Sequence, residues 1–180
     1  MKRPIALPAT WVSEGFALRP ARARDRTFQR ILFAAGRPDA IFIARMPAVQ
    51  RQAFLDSQFA LQDTHYRRFF AGAECHIVTL NGLPVGRVMI EKKASKWRLI
   101  DIGLLPEVRS RGLGSALIVA VQAACAAARA DALYLQVEVN NRARQLYQRL
   151  GFSVAGDIGS HAEMAWTSPD VRGAQLKTAS

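Results

Sequence analysis

The sequence predicts a mixed α/β fold, one sheet with helices on its faces, and three observations carry that expectation. Up to about Phe70 the apolar residues recur at helical spacing, and from His76 onward they change to short β-rich runs. The pair Asn81-Gly82 between two such runs marks a hairpin. After Trp97, strand, helix, strand, helix and strand signals follow one another, so helices must return the chain across a sheet that began as a hairpin.

Taken in order, residues 16–19 read as a short strand and residues 25–35 as a helix capped by Asp25, with Phe28, Ile31 and Leu32 on one face. A second helix begins after Pro47, a good first-turn residue, and runs to about Leu61. Its Phe54, Leu55 and Phe59, with the following Tyr66, Phe69 and Phe70, read as core. Residues 76–80 and 85–90 are the hairpin strands, residues 92–96 a polar connection, and residues 97–105 a third strand ended by Pro106. A long Ala-rich helix follows over residues 112–128, then a strand over 133–139 and a helix over 143–150 closed by Gly151. Residues 152–155 and 161–166 are short final strands, with Gly156 and Gly159 in the turn between them. The domain is expected to cover residues 15–167, with flexible ends at 1–14 and 168–180.

The length of 180 residues suits one domain with a sizeable core, and half of them are hydrophobic, a globular composition. No apolar run reaches the ~18–20 residues that span a bilayer. The first residues (MKRPIALPATW) lack the extended apolar region and cleavage site of a secretory signal. Cys75 and Cys125 are far apart and have no metal-ligand spacing. The expectation is a cytoplasmic protein with both cysteines as small core residues, no metal and no membrane partner.

The formal charge is +11, and residues 1–70 hold twelve Lys or Arg against five Asp or Glu. Such an excess fits a phosphate-bearing cofactor, an acidic partner or nucleic acid, and it equally fits the codon usage of a GC-rich genome. Nucleic acid is set aside, because the chain has no zinc-finger spacing, no aromatic-rich RNA motif and no recognition helix.

Residues 101–115 (DIGLLPEVRSRGLGS) are the most informative segment. A strand runs into a short basic loop with Gly112 and Gly114, and a helix follows at once. Glycine lets a backbone approach a ligand closely. The first amides of a helix have no internal partner, and its dipole draws anions to that end. Arg109 and Arg111 add positive charge, so the segment reads as a pyrophosphate cradle. It is neither a Walker loop nor the Gly-x-Gly-x-x-Gly fingerprint. The plain alternative is a glycine-rich turn into a core helix. In residues 135–152 (LQVEVNNRARQLYQRLGF), a strand ends at Asn140 and Asn141, and a helix carries Ala143, Leu146, Tyr147 and Leu150 on one face. Either Asn could cap that helix, and Tyr147 could be a core aromatic.

Together the two segments resemble the GNAT acetyltransferase superfamily. The loop matches its Arg/Gln-x-x-Gly-x-Gly/Ala signature at Arg109, Gly112 and Gly114. The second segment matches its Asn-x-x-Ala-x-x-Leu-Tyr…Gly-Phe signature at Asn140, Ala143, Leu146, Tyr147, Gly151 and Phe152. The stretch 54–66 (FLDSQFALQDTHY), followed by residues 83–87 (LPVGR), looks like a group of bacterial members.

The resemblance implies a mostly antiparallel sheet splayed between its fourth and fifth strands, with helices on both faces. It implies acetyl-CoA as co-substrate and an amine as acceptor, either a small molecule or a protein, with a homodimer as a further expectation. Leu104 and Leu105 would lend backbone groups to the pantetheine arm and thioester. Arg111, Gly112, Leu113, Gly114, Ser115 and Ala116 would hold the pyrophosphate through their amides. Asn140 or Asn141 would bond to the pantetheine. Tyr147 would protonate or hydrogen-bond the leaving thiolate. A base must free the amine lone pair, and the carboxylates near the central strands are Asp101, Glu138 and Glu91. Two functions remain open on these residues: an N-acetyltransferase, or a non-catalytic acetyl-CoA-binding module that regulates a partner. Tyr147 favours the enzyme, because a pure binder needs no acid beside the sulfur.

Overall fold

The computed structural model describes residues 5–37, 39–169 and 171. In chain order its strands are β1 (Phe16–Pro20), β2 (Glu74–Leu80), β3 (Leu83–Lys93), β4 (Lys96–Leu104), β5 (Ala132–Glu138), β6 (Ser153–Ile158) and β7 (His161–Thr167). Its helices are α1 (Ala9–Ser13), α2 (Arg26–Ala35), α3 (Ala40–Ala44), α4 (Ala48–Phe69), α5 (Leu113–Ala127) and α6 (Ala143–Arg149). The strands form one sheet in the order β1-β2-β3-β4-β5-β7-β6. Every neighbouring pair is antiparallel except β4 and β5.

That one parallel pair opens the sheet. It runs only from Lys96↔Ala132 to Leu99↔Leu135, although β4 continues to Leu104 and β5 to Glu138. A second irregularity lies just there. The β3–β4 register jumps between Met89↔Asp101 and Ile90↔Leu99, which leaves Ile100 as an extra residue. A bulge of this kind switches which face the following side chains take. Trp97 and Leu99 sit in the main core before it, and Ile102 and Leu104 pack against that core after it. Asp101 is thereby turned to the opposite face; strict alternation from Leu99 would have buried it in the core.

The main core lies under α5 and α6. Leu113, Leu117, Ile118, Val121 and Cys125 of α5 meet Val78, Val88, Ile90, Leu133, Leu135 and Met164 of the sheet. Because α5 is apolar on more than one side, it is sunk deeply, and its one buried amide, Gln122, donates to Leu150 O at 2.8 Å. The other face is thinner, with only Phe28, Leu32 and Ile77 buried together beneath α2. There α4 lies across α2 through Arg26–Asp63 and Arg30–Asp56 ion pairs, each 2.6 Å, and a Phe33–Phe59 ring contact at 5.8 Å.

Several boundaries differ from the sequence expectation. Residues 9–13 form α1 inside the stretch expected to be unstructured, and Ile5 is buried in the main core. The second helix extends to Phe69, and α3 precedes it. The polar connection after Glu91 is short, since β3 reaches Lys93 and β4 begins at Lys96. Gly112 stands outside α5 as its cap, and Gly156 lies within β6 rather than in the turn. Asp25 precedes α2, but its carboxylate accepts from Arg19 and from the Arg22 amide, not from α2. Among the described residues no helix is long and apolar enough to cross a membrane.

Candidate active site at the open edge of β4

The backbone of β4 faces the opening with unpaired polar groups. The Leu105 amide donates to Val85 O at 2.8 Å, which sets the phase of the ladder. Residues 101, 103 and 105 turn their backbone groups to β3, and Ile102 and Leu104 turn theirs to the other edge, where β5 has diverged. Leu105, expected to share the task of Leu104, spends its amide on β3. Leu104 O accepts from Arg109 Nε at 2.8 Å, so the groups left for a ligand are the Ile102 and Leu104 amides and Ile102 O. A cavity of about 420 Å³ fills the opening, walled by residues 99–102 and 135–138 and by Tyr66, Asn141, Tyr147 and His161.

At one end of this slot the chain turns into α5. Ser110 and Gly112 both take left-handed backbone, φ +61° and +88°. The turn leaves the amides of residues 112–115 without partners inside the helix, whereas Ala116 already donates to Gly112 O at 3.0 Å. Ala116, expected among the anion-binding amides, is therefore not available. Leu113 buries its side chain at 1% exposure, which leaves only its amide free to serve. Four amides without helical partners at the positive end of a 15-residue helix fit a pyrophosphate.

The two arginines of the loop are less free than their spacing suggests. Arg109 ties the loop down, donating to Leu104 O and, through Nη2 at 3.0 Å, to Ala35 O. Arg111 is half-exposed and lies 3.2 Å from Glu14.

Tyr147 lines the slot, 9% exposed, its ring edge-on to Phe152 at 5.8 Å. Burial, and secondarily the charge of Asp101, push its phenol up to about 12. The ring is packed as core, as one expectation had it, and the side chain also lines the cavity. Of the two asparagines, Asn141 lines the slot and accepts from the Ala143 amide at 2.9 Å, just ahead of α6. Asn140 is exposed and is not among the lining residues.

The three carboxylates separate. Glu91 is buried and paired with Lys93 at 3.0 Å, away from the slot. Asp101 and Glu138 both line it, and both also line a second cavity of about 410 Å³ beneath α2, with Leu32, Phe33, Arg37 and Ile102. Asp101 Oδ2 accepts from Arg87 Nε at 2.9 Å and from Nη2 at 2.8 Å. Arg87, 5% exposed, is held further by Gln29 at 3.1 Å, Gln62 at 3.5 Å and the face of Tyr66 at 5.8 Å. Glu138 has no ion-pair partner among the described residues. Sequence reasoning missed Arg87, Gln62 and His161. Period-two spacing from Met89 puts Arg87 on one face with it, which is the only signal the sequence offers, and His161 is located only by its pairing opposite Glu138.

The seven-stranded mixed sheet, opened between its fourth and fifth strands, is the acyl-CoA N-acyltransferase fold. Residues 40–152 match the model of the Acetyltransferase (GNAT) family, and the chain belongs to that family. PaiA N-acetyltransferase from Thermoplasma acidophilum, solved in complex with coenzyme A, superposes with TM-score 0.64 at 14% identity, covering 84% of this chain and 98% of that one. An acetyltransferase from Thermus thermophilus gives 0.62 at 18% identity, with 84% and 96% covered. An Arabidopsis thaliana protein in complex with the bisubstrate analogue CoA-Ac-MVNAL gives 0.59 at 17% identity, with 85% and 99% covered. At such identities the likeness is one of fold. A search of curated proteins returns no match.

Proposed function

We propose that this chain is an N-acetyltransferase that moves an acetyl group from acetyl-CoA to a primary amine by direct attack in a ternary complex. The observation that carries the reading is the unpaired edge of β4, with Tyr147 lining the cavity along it and the free amides of residues 112–115 following it in the chain. The amides would hold the pyrophosphate, the Leu104 amide and the Asn141 side chain the pantetheine, and the Ile102 amide the oxygen of the thioester carbonyl as charge builds there. Acetyl-CoA supplies an activated acyl group and a thiolate leaving group.

The acceptor enters from the cavity beneath α2, on the face to which the bulge turns Asp101. Its ammonium must lose a proton before attack. Asp101 has one oxygen committed to Arg87, so Glu138, which lines both cavities and is unpaired, is the better placed proton acceptor, directly or through water. A thiol with a pKa of about 8.5 is a stronger acid than a phenol near 12, so the Tyr147 hydroxyl stays protonated. It stabilises the departing sulfur by donating a hydrogen bond, and the thiolate is neutralised by solvent. Two unpaired cysteines agree with a reducing, cytoplasmic setting.

Thermal melting with acetyl-CoA tests the binding half of this reading. A ligand specific for the folded state adds about 2.7 kcal/mol at a hundredfold excess over Kd. Absence of any shift at millimolar concentration rejects it. Release of free CoA on adding amines tests the transfer half.

A further inference from the structure

Resting on that reading, the lining of the cavity beneath α2 points to the acceptor class: a small monoamine carrying one positive charge on an apolar body, neither a polyamine nor an amino acid. The cavity of about 410 Å³ is the size that takes a small molecule. Leu32, Phe33 and Ile102 give it apolar walls, and Gly36 and Gly103 contribute no side chain. A Cβ at Gly103 would meet Leu32 at 3.5 Å, so α2 and β4 come together closely on that side.

The charges of this cavity cancel in pairs, save one. Arg37 is bound in two places to Asp39, Nε to Oδ1 at 2.8 Å and Nη2 to Oδ2 at 2.6 Å, with its guanidinium over the rings of Phe33 and Phe54. Arg87 is bound to Asp101. What remains is the carboxylate of Glu138. A single ammonium beside Glu138 completes the balance. A second ammonium would lie along walls that carry the guanidiniums of Arg37 and Arg87. A carboxylate on the carbon bearing the amine would be brought against Glu138. Both additions leave a charge poorly matched in a partly enclosed site, which is how such a cavity selects against them. In the reaction the amine nitrogen forms the new bond to the acetyl carbon as the carbon–sulfur bond breaks. The ammonium gives its first proton through Glu138 to water before attack, the nitrogen loses a second once the new bond has formed, and the thiolate takes one back from solvent, so an ammonium and acetyl-CoA give an amide, free CoA and one proton.

The experiment uses the full chain, acetyl-CoA and matched acceptors, with CoA release as readout. 2-Phenylethylamine, tryptamine and hexylamine are the monoamines; phenylalanine adds a carboxylate to the first, spermidine adds charges, and a tripeptide with a free N-terminus represents a protein acceptor. We expect kcat/KM for the best monoamine to exceed that for phenylalanine, spermidine and the peptide by about tenfold or more. Phe33→Ala should raise KM for 2-phenylethylamine more than for hexylamine, which has no ring to stack. Spermidine, phenylalanine or the peptide matching the best monoamine overturns the inference. So does failure of all three monoamines while acetyl-CoA still raises the melting temperature. Loss of that thermal shift itself would instead reject the cofactor reading on which the inference stands.

Discussion

The two faces of the sheet are held together by different physics. Beneath α5 and α6 lies a continuous apolar core, and the ligand-facing groups there are backbone amides from β4 and from the start of α5. Beneath α2 and α4 only three residues are buried together, and the layer is laced by Arg19–Asp25, Arg26–Asp63, Arg30–Asp56, Arg37–Asp39 and Arg87–Asp101. Backbone recognition needs a fixed loop geometry and tolerates little change. Ion pairs across a thin layer can be rearranged, which suits the face that must meet the acceptor. Within the first seventy residues Arg19, Arg26, Arg30, Arg37 and Arg67 all pair with acids of the same stretch, so these pairs leave its positive excess unchanged.

The sharpest break between the faces should come at Gly112. Gly112→Asp forces a side chain onto backbone with φ +88° and sets a carboxylate among the free amides of α5. The protein should stay folded, since the mutated position is exposed, while the acetyl-CoA thermal shift and CoA release are both abolished. A retained shift would mean that the loop does not hold the pyrophosphate. Next in size is Tyr147→Phe, which keeps the packed ring and removes the hydroxyl. CoA release should fall by up to roughly 10³-fold, the range for a lost hydrogen-bond donor to developing charge, mainly in kcat, with cofactor affinity held and the melting curve little changed. An unchanged rate would remove Tyr147 from the mechanism and leave water to meet the sulfur. Tyr147→Ala is the structural control, expected to destabilise by about 3–5 kcal/mol.

The same division explains what could be read in the sequence. The backbone face is the more legible because its signals are local: Gly112 and Gly114 stand two apart at the start of one helix, and Tyr147 follows the Asn140-Asn141 pair after one strand, although the sequence does not choose between the two asparagines. Arg109 and Arg111 fit that pattern, yet a motif does not reveal that one ties off Leu104 O and the other meets Glu14. The acceptor face was nearly illegible because its contacts are long-range. Arg87 reaches Asp101 across a ladder and Gln29 from a helix 58 residues away, and no periodicity encodes such a meeting. The bulge at Ile100 is silent in the sequence too, although it decides which face Asp101 takes. Glu91 illustrates the cost: like Asp101 it is a carboxylate on a central strand, β3 rather than β4, and only the fold sends it to Lys93.

A double-mutant cycle at Arg87 and Asp101 measures how far the acceptor face depends on its ions. Arg87→Met removes a buried guanidinium and leaves a carboxylate that is about one quarter exposed, with an expected loss of about 3 kcal/mol. Arg87→Met with Asp101→Asn should lose less than the sum of the single changes, with a coupling of about 1–3 kcal/mol. Additive losses in chemical denaturation would mean that the pair contributes packing and no charge interaction. Acetyl-CoA affinity should be nearly constant across the cycle, because neither residue touches the α5 amides.

The smallest effect is the most direct comparison of the two faces, and it uses pH alone. The Arg19 guanidinium, through hydrogen bonds of 2.7 Å, holds the Asp25 carboxyl at about 2 against burial, from an ordinary 3.8. Arg37 lowers Asp39 in the same sense, and Gln52 and Arg30 together lower Asp56. A carboxylate whose folded pKa is depressed stabilises the fold fully above its unfolded value, and that contribution is lost as pH falls through the folded one. The window for Asp25 therefore runs from about pH 4 down to about pH 2. Its contribution is on the order of 1 kcal/mol once solvent screening of Arg19, about one quarter exposed, is allowed for. The core beneath α5 contains no ion pair of this kind among its buried residues. Acid should therefore loosen α2 and α4 before it loosens α5 and β5. Native-state hydrogen exchange at pH 5 and pH 3, corrected for intrinsic rates, reads the difference amide by amide. Protection should fall first in α2 and α4, and Asp25→Asn should abolish most of the pH effect near the start of α2. Equal loss across both layers would show that the ion pairs are ornaments of a single cooperative unit, and that the thin face is held by its few apolar contacts after all.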